Sequence, residues 1–136
     1  MKINTMKKTL LILMILTFNL IQSQTQRELN IESKKEYVDS DNELKLIYKM
    51  ILTDYKKDTT FVKNLKSSQR LWIKLRSADL KVKYSNERRV YGSVYPMCKW
   101  IYLKDLTESR IYKLLEWTKG TEEGDVCKGS IKIKNQ

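Results

Sequence analysis

The sequence predicts an all-α fold: a small bundle of three main helices, the first either continuous or broken near residues 39–42, followed by an irregular C-terminal tail. Three observations carry this. With 1 Pro and 4 Gly in 136 residues, the composition is poor in the turn formers that long sheets need. Charged residues make up 32% of the chain and strong helix formers dominate the rest. Apolar residues recur at three- and four-residue steps through three long segments. The length suits one domain.

The N-terminus reads as a secretory leader over residues 1–23. Lys2, Lys7 and Lys8 form a basic start, Thr9 to Phe18 an apolar run extended through Ile21, and Ser23 a small residue at the cleavage point. The alternative is an uncleaved anchor, for which the run is short and interrupted by Asn19. Cleavage near Ser23 would place residues 24–136, as a single domain, in the periplasm or outside the cell. The net charge of +11, less the three leader lysines, leaves +8. Such a protein is drawn to anionic wall polymer, anionic lipid or acidic proteins, and the same charge also serves general solubility. The expected partner is a protein, with weak anionic-surface contact beside it. Export argues against nucleic acid.

The first helical segment runs from Gln24 to about Tyr55. Tyr37, Asp41, Leu44, Tyr48, Ile51, Leu52 and Tyr55 share its apolar face. Asp39-Ser40-Asp41-Asn42 are cap and turn formers, and a break there would give helices of about 25–38 and 41–56. Asp58, Thr59 or Thr60 can cap the second helix, which reaches about Tyr84. On its inner face Phe61, Leu65, Ser68, Gln69, Trp72, Arg76 and Asp79 line up. Ser93 is a candidate cap for the third helix, with Pro96 tolerated in the first turn; Gly120 ends it after about Thr118. Trp100, Leu103, Thr107, Arg110, Ile111 and Leu114 share a face there. Beyond Gly120 no helical period remains.

Each helix therefore turns polar groups inward: Asp41, then Gln69 and Arg76, then Thr107 and Arg110. A guanidinium among apolar neighbours needs a carboxylate or a route to water. Two readings stand. Asp41 neutralises an arginine and the five residues form an internal staple, or Arg76 and Arg110 clamp an anionic group from outside.

Absence of His removes the commonest general base and metal ligand. No catalytic residue, metal or cofactor is expected. Cys98 and Cys127 pair by default in an exported chain, closing a loop of about 30 residues for a gain of ~3–4 kcal/mol; the alternative is a reactive thiol. Arg88, Arg89, Tyr91 and Tyr95 cluster in a connector, as exposed interface residues or as tyrosines covering the core at a helix start.

Asp41-x-x-Leu44, Gln69-x-x-Trp72-x-x-x-Arg76, Gly92-Ser93, Cys98, Leu106-Thr107-x-x-Arg110 and Leu114 occur in an order and spacing that resembles the small secreted domain at the N-terminus of the LprI-type lysozyme inhibitors. The similarity spans about residues 25–128. It implies an exported helical domain held by disulfides, and lysozyme inhibition as the namesake's role. Cys98 and Cys127 match the later two of the family's four cysteines. The earlier two would fall near Glu32 and at Leu80, which implies one surviving bridge and a looser first helix before Asp41.

Overall fold

The computed structural model describes residues 2–86 and 88–133. Apart from Met14, the side chains of the N-terminal apolar run, on which the leader expectation falls, lie outside that set, and so does the side chain of Arg88. The elements are α1 (Lys2–Asp54), α2 (Thr59–Lys83), a 3-10 segment (Arg88–Val94), α3 (Tyr95–Leu114), the single turn α4 (Glu116–Lys119) and a 3-10 turn (Val126–Lys128). Beyond Gly120 the tail pairs Thr121 with Ile133 in one isolated bridge. No described helix is long and apolar enough to cross a membrane.

α1 is unbroken, so of the two readings for residues 39–42 the continuous helix holds. The reason lies in what those side chains do. Ser40 donates to Glu108 Oε1 at 3.3 Å and Asp41 accepts from Arg76 at 2.9 Å. Side chains engaged across the bundle no longer compete for their own backbone, so the helix continues. The segment before Asp41 is likewise helical and has a partner on α3.

α1 and α3 run parallel. Met97 N–H donates to Asn30 Oδ1, Lys104 Nζ to Glu36 Oε2 and Ser40 to Glu108, at sequence offsets of 67, 68 and 68 residues. α2 lies antiparallel to both, since Phe61 stacks on Tyr55 while Arg76 reaches back to Asp41 and Thr107. The core occupies the end where α1 finishes. Leu44, Ile47, Ile51 and Tyr55 meet Leu65, Ile111 and Leu114, with Phe61, Trp72 and Trp117 packed around them.

Helix ends follow local chemistry. Asp58 caps α2, its side chain accepting from Phe61 N at 2.9 Å. Gly120 ends α4 at φ 69°, a left-handed conformation that glycine adopts without steric penalty. Ser93 does not cap α3. Val94 holds that position without a side-chain bond, and Pro96 sits in the first turn. The cap comes from α1: Asn30 Oδ1 accepts from Met97 N at 3.1 Å and Asn30 Nδ2 donates to Ser93 O at 3.2 Å. Asn30→Ala is expected to cost about 1 kcal/mol, read as a lower Tm. Asn30→Asp, which keeps the acceptor, is expected to cost less.

Candidate functional site

The inward polar residues form two adjacent groups joined by one ring. In the first, Arg76 Nη1 donates to Asp41 Oδ1 and to Thr107 Oγ1, both at 2.9 Å. Thr107 is fully buried and passes its own proton to Leu103 O at 2.7 Å. Asp41 Oδ2 also takes Lys45 at 2.8 Å. Burial pushes the Asp41 carboxyl upward, but the hydrogen bonds and charges of Lys45 and Arg76 outweigh it, and the pKa ends below its ordinary value. The Arg76 guanidinium lies over Tyr37 at 5.6 Å and over Trp72 at 4.7 Å.

In the second group, Arg110 Nε donates to Gln69 Oε1 at 3.1 Å and Nη2 to Ser68 Oγ at 3.0 Å. Its guanidinium faces Trp72 at 5.8 Å. Trp72 thus stands between two cations, in a column Tyr37–Arg76–Trp72–Arg110 that crosses from α1 through α2 to α3. Burial lowers the Arg110 pKa. Arg110 opens onto a cavity of about 420 Å³ between α2 and the end of α3, lined also by Phe61, Leu65, Ser68, Leu114 and Trp117.

The connector tyrosines pack against the bundle. Tyr91 and Tyr95 stack at 5.7 Å, and each meets Tyr84 edge-on, at 5.3 and 5.2 Å. Both are half-buried, while Arg89 is exposed beside them. Sequence reasoning missed Asn30, and it placed Tyr37 and Ser68 on the inner faces without assigning them to the polar network. For Asn30 there was a signal: a third helix with Pro96 in its first turn has few local ways to satisfy the Met97 amide.

The structure joins Cys98 and Cys127 by no bridge. Cys98 lies in the first turn of α3. The tail holding Cys127 is tied to the opposite end of the bundle, where Lys132 N–H donates to Tyr55 Oη at 2.9 Å and Trp117 Nε1 to Ser130 Oγ at 3.3 Å. Alkylation without reductant is therefore expected to add two groups per chain in intact-mass analysis. A mass unchanged by alkylation would mean that the tail docks elsewhere.

Among the described residues no three His, Cys, Asp or Glu side chains converge as a metal site. Asp41 neutralises Arg76, and Gln69 and Ser68 orient Arg110, which suits a framework for a binding surface. Comparison with known proteins agrees with that character. No curated protein and no solved structure matches the chain. A family model described as Lysozyme inhibitor LprI matches residues 19–114, from within the N-terminal part of α1 to the last residue of α3. That span holds Asp41, Gln69, Trp72, Arg76, Thr107 and Arg110 together and leaves out the tail with Cys127. Covering most of the chain and every main helix, it establishes that the protein belongs to the LprI lysozyme inhibitor family.

Proposed function

We propose that the protein acts outside the cytoplasm, after leader cleavage near Ser23, by binding another protein without catalysis, and that its target is a lysozyme. The family match over the helical body carries this reading. The overall positive charge opposes approach to a basic lysozyme, so docking requires a local surface of the other sign. The continuous α1 supplies one. Glu28, Glu32, Glu36, Asp39 and Glu43 are all exposed and fall within about 80° of one another around the helix axis. Glu36 is partly engaged by Lys104 at 3.0 Å, leaving the other four as the docking face. Asp41 is not part of it, because it turns inward to Arg76.

A turbidity assay of cell-wall lysis tests the proposal. Excess protein is expected to slow lysis, and the combined Glu28→Lys, Glu32→Lys, Asp39→Lys and Glu43→Lys variant, with its helix content unchanged, to lose at least about tenfold in potency. Full lysis at excess protein would count against inhibition of the enzyme used. Equal inhibition by the variant would move the docking face elsewhere.

A second reading is a basic envelope module that binds anionic wall polymer or lipid. It draws support from a shallow hollow of about 370 Å³ at the start of α2, lined by Lys56, Lys63, Lys66 and Arg70. Steeply salt-dependent binding to anionic vesicles, with no effect on lysis, would favour it.

A further inference from the structure

The two inward arginines differ in one respect. Arg76 is neutralised by Asp41 within the chain, whereas Arg110 has only the neutral acceptors Gln69 Oε1 and Ser68 Oγ. Among the described residues no carboxylate forms an ion pair with it. A guanidinium stays charged at neutral pH and carries five N–H donors, of which these contacts use two. A half-buried cation with spare donors and no internal counter-charge is a place where an external anion gains a charge-assisted, paired hydrogen bond.

The surroundings narrow the chemistry of that anion. The cavity at Arg110 has a volume of about 420 Å³, within the range of small-molecule sites. Its walls are Phe61, Leu65, Leu114 and Trp117, all apolar or aromatic, with Asn64 and Ser68 as neutral polar groups. Leu65 and Leu114 are buried, so the inner wall is fixed by the core and not by mobile surface chains. Asp58 lies at the rim, where it accepts from the Phe61 amide at 2.9 Å. Its charge, set against a single arginine, disfavours a dianion such as a phosphate monoester. One cation, an apolar wall and a rim carboxylate together select a monoanion with an apolar body.

We propose that the cleft between α2 and the end of α3 binds a small carboxylate with an aromatic or branched apolar body. The carboxylate sits on the spare donors of Arg110, and the body lies between Phe61, Leu65, Leu114 and Trp117. This stands apart from the lysozyme reading, since it uses none of the α1 carboxylates.

Titration of the full-length protein with 4-phenylbutyrate, followed by ¹H–¹⁵N spectra that include the Arg110 Nε–H, tests it. Saturable shifts at Arg110 and the Trp117 indole are expected. The neutral 4-phenylbutyramide, with the same body and no charge, is expected to bind at least about tenfold more weakly. Arg110→Gln, with its circular dichroism retained, is expected to lose affinity for the acid by a similar factor and to leave the amide unaffected. Absence of saturable shifts, equal affinity for acid and amide, or shifts centred on Lys63, Lys66 and Arg70 would each overturn the proposal. Should Arg110→Gln fail to fold, the acid–amide comparison on the unaltered chain decides by itself.

Discussion

Asp41→Ala is expected to lower the melting temperature by on the order of 10 °C, from a loss of about 2–3 kcal/mol. The change strands Arg76 between Tyr37 and Trp72 with Thr107 as its remaining polar partner. Removing one member of a fully buried pair costs about 3–5 kcal/mol. The side chains of Arg76 and Asp41 keep 13% and 19% of their exposure, so water relieves part of that penalty. Replacing both residues by apolar ones of similar volume should recover much of the loss, because no charge is then left unpaired. An unchanged melting temperature in Asp41→Ala would show that the contact contributes nothing.

The same pair gives stability a signed dependence on pH. The Asp41 carboxyl titrates below its ordinary value of 3.8 in the folded protein. Its contribution is therefore complete above the unfolded value and disappears as pH falls through the lower, folded one. Asp41→Asn cannot ionise and lacks this dependence. The gap in melting temperature between the native chain and Asp41→Asn should narrow as the pH drops below about 4. A gap that widened on acidification would contradict the assignment.

Trp72→Ala is expected to cost about 3 kcal/mol, measured by denaturant unfolding. Its ring packs against the core cluster and meets the guanidiniums of Arg76 at 4.7 Å and Arg110 at 5.8 Å. Trp72→Leu separates the two contributions. It restores apolar volume but no π face, so it should recover part of the loss and leave about 1 kcal/mol or more missing. A double-mutant cycle between Trp72 and Arg76 should show a coupling of about 0.5–1 kcal/mol. Native stability in Trp72→Leu would mean that the indole acts as bulk alone.

The three rods, a cap for α2 among Asp58, Thr59 and Thr60, and the stop at Gly120 were legible because each depends on residues close together in the chain. Inward placement of Asp41, Gln69, Arg76, Thr107 and Arg110 was legible for the same reason: helical spacing assigns a face. Which arginine meets which acceptor was not, since that depends on how far one helix is displaced along another. Arg76 met Asp41 and Thr107, while Arg110 met Gln69 and Ser68. The alternative of a break at residues 39–42 has a related origin. Ser40 and Asp41 signal a turn in isolation, and only their partners on α2 and α3 convert them into helix residues. The disulfide expectation rests on compartment and loop length, which say nothing about which end of the bundle the tail reaches. The cap from Asn30 was hidden because its donor and acceptor lie 67 residues apart.

The constant offset between α1 and α3 has a consequence for recognition. Sliding one rod past the other by a single turn, about 5.4 Å, would break the Asn30, Glu36 and Ser40 contacts together and pull Asp41 from Arg76. The helices are preorganised, so a target loses little of its binding free energy to ordering them. For the lysozyme proposed as target, complementarity would come from its own cleft fitting a stiff ridge, with association and release set by shape and charge and not by refolding.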